Sequence, residues 1–244
     1  MCTEEENAAR SFTRLNEREF ILETEKPFSR TIQAGMALEN LTWTPDVEIR
    51  NCRFLSNRAR GLLISTPGKV VVENNFFATA ILIAGDANYW YESGAVRDLL
   101  IRGNRFDASC LTSEYQFTEA VISILPEIPE PDPSRPFHRN IRIEDNHFCS
   151  ADYPILFATS VNGLTFSGNT IERSYDFRPW HPRKAGITVD ACLNVRISDN
   201  KFVGEVLGRT VSIENMHKRE VKIAPGSPYK VVWNKEAARP KLQK

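Results

Sequence analysis

One arrangement of apolar and polar positions returns six times along the chain. The copies are VEIRNCRF from Val47, VVVENNFF from Val70, LLIRGNRF from Leu99, IRIEDNHF from Ile141, LTFSGNTI from Leu164 and VRISDNKF from Val195. Positions one and three are apolar, position six is Asn in five of six copies, and position eight is Phe in five of six. The first three residues alternate as a short strand does, placing two side chains on one face. The copies start 23, 29, 42, 23 and 31 residues apart. A constant motif with elastic spacing describes stacked units that carry inserted loops of different size.

The Asn at position six suits a tight corner with a left-handed backbone. Its amide is also placed to bond the equivalent Asn of the next unit, making an internal ladder. Cys52 interrupts that ladder in the first copy. Position eight predicts one interior column of Phe54, Phe77, Phe106, Phe148, Ile171 and Phe202. A second apolar strand follows each phrase, at Gly61–Ser65, Ala80–Ala84, Ala120–Ile124, Pro154–Ala158, Gly186–Val189 and Val211–Ile213. Strand, corner, strand and return predict an all-β right-handed parallel β-helix, a solenoid with long inter-rung loops. A β-sandwich predicts hairpin turns instead and gives one phrase no reason to return in phase.

The chain has 244 residues, 41% of them apolar, and the repeat favours one elongated unit over two domains. The expected division is an N-terminal cap with a first irregular rung at 1–38, the β-helix at 39–234 and a basic tail at 235–244. Residues 4–17 are expected as a short polar helix. Phe20-Ile21-Leu22 and Ile32 to Leu38 are expected to supply the irregular rung, and Val221-Lys222-Ile223 a last strand. Lysine and arginine number 31, as do aspartate and glutamate, so net charge points to no nucleic-acid partner. No apolar stretch of about 18 residues is present, so no membrane span is expected. The beginning of the sequence lacks a basic start with an apolar run, and no secretory signal is expected there. The five cysteines are scattered, with no C-x-x-C pair, and the four histidines have no ligand spacing, so no metal and no cofactor is expected. The oligomeric state is open, a homo-oligomer included.

A flank of such a fold binds ligands through its inserted loops. Four insertions exceed what closing a rung requires: Asp86 to Arg97, Asp107 to Thr118, Pro126 to Asn140 and Glu172 to Lys184. Tyr89, Trp90 and Tyr91 stand beside Asp86, Asn88 and Glu92; Tyr175, Phe177, Trp180, His181 and Arg183 crowd the last insertion. Aromatic faces with carboxylates, amides and arginine suit a sugar, whose C–H faces stack on rings and whose hydroxyls take hydrogen bonds. Packing of these rings against the flank explains the composition equally well. Glycoside hydrolysis needs two carboxyls in different protonation states. Asp86 directly follows the strand Ala80–Ala84, and Glu119 directly precedes Ala120–Ile124 of the next rung. Glu92 and Asp190 are further candidates. Asp107, Asp145 and Asp199 read as turn residues, and Glu48, Glu73 and Glu144 as solvated outer charges. Arg58 and Arg60 stand at the corner one rung before Asp86, where Arg60 would bond a hydroxyl or hold a carboxylate ionised.

Several segments together resemble glycoside hydrolase family 110, the bacterial α-1,3-galactosidases. They are ENLTWTPD from Glu39, SNRARG from Ser56 with STPGK from Ser65, IAGDANYWYESG from Ile83, EAVISI from Glu119 and YDFRPWH from Tyr175. The resemblance implies a β-helix hydrolase that removes terminal α-1,3-linked galactose, as on blood-group B or linear Gal-α-1,3-Gal glycans. It implies an exo-acting mechanism with inversion at the anomeric carbon, no metal, bacterial origin and a periplasmic or secreted location. Family members are longer, and the chain is expected to be a partial member. On this reading Asp86 and Glu119 are the catalytic pair. Arg60, Asn88, Tyr89, Trp90, Tyr91, Glu92, Trp180 and His181 shape the pocket for the terminal sugar. A glycan-binding β-helix without turnover and a purely structural solenoid are the alternatives. A polysaccharide lyase would need a Ca²⁺ cluster, and no dense run of aspartates supplies one.

Overall fold

The computed structural model describes residues 5–55, 59–86, 90, 94–107 and 118–234. The fold is all-β: three parallel sheets, and a separate two-stranded antiparallel hairpin. The first sheet holds Val47–Arg50, Lys69–Glu73, Asp98–Arg102, His138–Glu144, Val161–Ser167, Leu193–Ser198 and Val221–Ile223, in that order. The second holds Arg53–Phe54, Phe76–Phe77, Arg105–Phe106, His147–Ser150, Thr170–Arg173 and Lys201–Val203. The third holds Leu62–Ile64, Ile81–Ile83, Ile122–Ile124, Leu156–Thr159, Ile187–Asp190, Thr210–Glu214 and Lys230–Asn234. The chain visits the three sheets in rotation, and each strand pairs with its counterparts in the flanking copies.

Register follows the repeated phrase without a slip. Val47, Val70, Leu99, Ile141, Leu164, Val195 and Val221 form one row. The five inner members of that row are at most 2% exposed. Phe54, Phe77, Phe106 and Phe148 stack face to face, with ring centroids 4.7, 5.0 and 4.8 Å apart. Ile171 and Phe202 continue the row through backbone pairing. The interior phenylalanine column therefore forms as the phrase predicts, and burying each ring stabilises the fold by about 1.5–3 kcal/mol.

Asn75, Asn104, Asn146, Asn169 and Asn200 form the expected ladder. Each Nδ2 of the first four donates to the next Oδ1, at 3.0, 3.0, 3.1 and 3.1 Å. The same Oδ1 accepts the backbone N–H of the preceding Asn, at 2.9–3.0 Å. Each of the five amides also donates to a backbone carbonyl of the preceding copy. Cys52 adds only its backbone N–H, 2.9 Å from Asn75 Oδ1. The left-handed corner lies one residue earlier than expected. Positive φ belongs to position five: Asn51, Asn74, Gly103, Asp145, Gly168 and Asp199, at 54–66°. Asn, Asp and Gly are the residues that tolerate this conformation, which leaves position six free to turn its amide inward.

Three further expectations are corrected. Residues 5–17 form no helix. Ala9–Arg14 and Phe20–Thr24 pair as an antiparallel hairpin, with Phe12 stacked on Phe20 at 4.8 Å. Asn16 Oδ1 closes its turn by accepting the N–H groups of Arg18 and Glu19. Phe20-Ile21-Leu22 is thus spent on that hairpin, and Ile32 to Leu38 contains no strand. Glu6 ties the segment to the sheets through Arg97 and Arg139. Glu73 is not a solvated charge. It is 6% exposed, and its carboxylate lies between Arg50 and Arg102 of the adjoining strands. Those arginine side chains are 42% and 47% exposed, so water screens the pairs. Glu73→Gln is therefore expected to lower stability by only about 1 kcal/mol, read as a shift in the urea midpoint.

Candidate functional site

The outward row of the third sheet is the floor of the site. Ile81 and Ile83, like Ile122 and Ile124, point into the core, so the residues between them point out. Leu82, Ser123, Phe157, Thr188 and Ser212 align in register there. All five are 8% exposed or less, whereas Leu63, one strand earlier, is 39% exposed. A buried outer face must be roofed by other chain. The side chain of Arg183 supplies part of that roof, its guanidinium 4.6 Å above the centre of the Phe157 ring.

The upstream end of these strands gathers Glu119, Arg60, Trp180 and His181. Glu119 lies on the outer side because a short turn folds it over the sheet: the N–H groups of Glu119 and Ala120 both donate to Ser123 Oγ at 2.9 Å. Its carboxylate accepts from Arg183 Nη2 at 3.3 Å, with side-chain exposures of 41% and 31%. Arg60 precedes Leu62 by two residues, two strands away from Glu119 at the same end of the sheet, and is half-buried. Two strand spacings make that offset roughly 10 Å.

Asp152 is the organiser that the sequence reading missed. Its Oδ2 accepts the successive N–H groups of Trp180 and His181, at 3.1 and 2.8 Å, and its Oδ1 takes the N–H of Tyr153 at 2.8 Å. The result leaves the Trp180 indole 61% exposed while His181 is buried. His181 Nδ1 accepts the Arg183 N–H at 3.1 Å, and its carbonyl accepts from Lys184 Nζ at 2.7 Å. The Lys184 ammonium sits 4.4 Å over the Tyr153 ring. Trp180 thus offers a stacking face, and His181 holds the segment that aims Arg183. At the base of this segment the Cys149 thiol is pushed up by burial first, then by Glu172 and Asp107, which keeps it in the poorly nucleophilic form.

Asp86 and Trp90 lie at the downstream end. Leu125 N–H and Glu127 N–H bond the carbonyls of Ile83 and Gly85, so the parallel ladder runs on past the strand. Alternation then puts Asp86 on the same outer side as Leu82. Asp86 is 3% exposed, and its Oδ2 accepts the Trp90 N–H at 2.5 Å. Trp90 is 69% exposed. Glu39 Oε2 accepts the Gly94 N–H at 3.1 Å. A Cβ on Gly85 would come within 2.3 Å of the Gly94 carbonyl oxygen, so only glycine allows the two backbones to meet beside Asp86. Asp86 stands four residues beyond Leu82, roughly 13 Å along the strand from the row over which Glu119 folds. Asn88, Tyr89, Tyr91 and Glu92, with Arg58, lie outside the described residues. Among the described residues, no helix is long and apolar enough to cross a membrane.

One signal for the roofed face was present in the composition of the two sheets. Outward positions of the first sheet include Glu48, Arg142, Arg196 and Lys222, while the row of Leu82, Ser123, Phe157, Thr188 and Ser212 in the third carries no charge. An uncharged outward row marks a covered surface. Nothing local marked Asp152, because Trp180 and His181 lie 28 and 29 residues further on.

No family model matches the chain. Curated relatives do. An alpha-1,3-galactosidase B of Bacteroides thetaiotaomicron is 60% identical over 223 residues, 90% of this chain and 36% of that protein. An alpha-1,3-galactosidase B of Akkermansia muciniphila is 42% identical over 193 residues, 77% of this chain and 24% of that protein. An alpha-1,3-galactosidase A of Bacteroides fragilis is 42% identical over 204 residues, 80% of this chain and 33% of that protein. The chain spans about a third of the length of the curated relatives it matches. With such identity across most of its own length, the chain belongs to glycoside hydrolase family 110, the family of the bacterial α-1,3-galactosidases.

Proposed function

We propose that this chain forms the catalytic flank of an exo-acting, inverting α-1,3-galactosidase built on a right-handed parallel β-helix. What supports the reading is that Asp86 follows Ile81–Ile83 and Glu119 precedes Ile122–Ile124, two strands paired in register, while the Asp86 carboxylate bonds the exposed Trp90 and the Glu119 carboxylate meets Arg183, three residues from the exposed Trp180. Inversion requires carboxyl groups about 6.5–9.5 Å apart, with water between one of them and the anomeric carbon. On this reading the Asp86 and Glu119 carboxyl groups stand that far apart across the sugar. One carboxylate activates the water, and the other carboxyl protonates the departing glycosidic oxygen. The exposed indoles stack on the apolar faces of the sugar, and Arg60 bonds a hydroxyl.

The substrates proposed are glycans ending in α-1,3-linked galactose, of blood-group B or linear Gal-α-1,3-Gal type, met in the periplasm or outside the cell. The test follows hydrolysis of a Gal-α-1,3-Gal disaccharide by proton NMR from the first turnovers. The expected first product is β-galactose, which later mutarotates. Asp86→Asn and Glu119→Gln are each expected to lower kcat/KM by at least roughly 100-fold while the fold is retained. Full turnover in both variants removes the pair. Because the chain spans about a third of its relatives, a second reading is binding without hydrolysis. Disaccharide binding by calorimetry with no galactose released would favour it.

A further inference from the structure

Arg183 lies 64 residues from Glu119 in sequence, yet the two side chains meet over the floor of the site. Three contacts define the guanidinium. Its plane covers the Phe157 ring at 4.6 Å, one Nη2–H points at Glu119 Oε2 at 3.3 Å, and its backbone N–H is held by His181 Nδ1 at 3.1 Å. Asp152 in turn fixes His181 through its backbone N–H. The chain from Asp152 to His181 to Arg183 ends on the carboxylate.

Two features separate this arrangement from an ordinary surface ion pair. A side chain kept only for stability satisfies its buried donors, but Arg183 Nε is buried and without a partner among the described residues. Thr118 Oγ1, next to Glu119, and Thr188 Oγ1, beside Phe157 in register, are buried and unpartnered too. The half-exposed pair with Glu119 contributes only about 0–1 kcal/mol of stability, less than the desolvation of those polar atoms costs. The cluster is built for position, not for stability.

We propose that Arg183 is a positioning residue for Glu119. The inference rests on the reading of Glu119 as a catalytic carboxyl. The planar guanidinium, clamped on Phe157, presents a fixed donor edge to one carboxylate oxygen and turns the other toward the sugar. An ammonium on a flexible stem matches the charge but not the plane.

The test measures kcat and KM of the whole chain on the Gal-α-1,3-Gal disaccharide for wild type, Glu119→Gln, Arg183→Met and Arg183→Lys, with thermal midpoints alongside. Arg183→Met retains the stem over Phe157 and is expected to lose roughly 10–100-fold in kcat, with KM within about threefold of wild type. Arg183→Lys is expected to recover part of that loss, ending roughly 3–10-fold below wild type. Both variants are expected to melt with the wild type. A wild-type kcat in Arg183→Met overturns the inference, and so does a rise in KM alone. If Arg183→Met does not fold, Arg183→Lys decides, and a wild-type kcat there overturns the inference. Full turnover in Glu119→Gln, or no galactose from the wild type, removes the functional reading and this inference with it. An inactive Glu119→Gln beside an unaffected Arg183→Met removes this inference alone.

Discussion

Replacing Asn104 with leucine is expected to destabilise the fold by about 3–5 kcal/mol, through donors left buried without acceptors. Asn104 is 1% exposed in the middle of the ladder. Its Oδ1 accepts both the backbone N–H and the Nδ2 of Asn75, and leucine offers neither an acceptor. The Val72 carbonyl also loses the Asn104 amide. Each such buried group costs about 1–3 kcal/mol once orphaned. Leucine fills a similar volume, so little of the loss comes from a cavity. Urea unfolding monitored by circular dichroism measures it. At the end of the ladder, Cys52→Ala is expected to change stability by less than about 0.5 kcal/mol, because only the Cys52 backbone engages Asn75. Equal losses at the two positions would mean that the amides do not act as a connected ladder.

Acidification is expected to destabilise the protein through His138. This side chain is fully buried, and burial lowers its pKa from 6.5 to about 3. Nδ1 accepts the Val96 N–H at 3.0 Å, so the proton of the neutral ring is on Nε2, which is buried without a partner among the described residues. Above pH 6.5 both the folded and unfolded states hold the ring neutral, and the group adds no pH dependence. Between pH 6.5 and about 3 the unfolded state takes up the proton and the folded state does not. Stability therefore falls by about 1.4 kcal/mol per pH unit on going down through that window, about 4–5 kcal/mol in all. His138→Asn keeps an acceptor for the Val96 N–H and does not titrate. Its denaturant midpoint is expected to be lower than wild type at pH 7, and the difference to shrink and then reverse toward pH 4. Parallel pH profiles for the two proteins would show that His138 is protonated in the folded state.

Most of the architecture is legible because each copy repeats the same local physics. Alternating apolar residues specify the first strand, the Asn at position six has to find buried partners, and the Phe at position eight has one interior face to occupy. The residue in the left-handed corner was legible too, since position five contains only Asn, Asp and Gly. The amide of position six, the more conspicuous signal, masked it. The hairpin at Ala9–Arg14 and Phe20–Thr24 was not legible: its charges at Arg10, Arg14, Glu17 and Glu19 mimic a polar helix surface, and Phe12 and Phe20 reveal a strand only once paired. Glu73 alternates with valines as a solvated charge would, and its burial comes from arginines 23 and 29 residues away. The candidate site divides the same way. That Glu119 and Asp86 stand next to strands of the third sheet could be read from the sequence, but the Asp152–His181–Arg183 relay exists only after three sheets have brought distant segments together.

The mismatch between a rigid phrase and its elastic spacing bears on how such proteins diversify. Because each strand is held by its counterparts above and below, a segment leaving one level can grow or shrink without retuning any other. The 42-residue interval after Leu99 pairs in the same register as the 23-residue one after Ile141. One inserted segment can therefore be remodelled while the stack beneath it stays as it is.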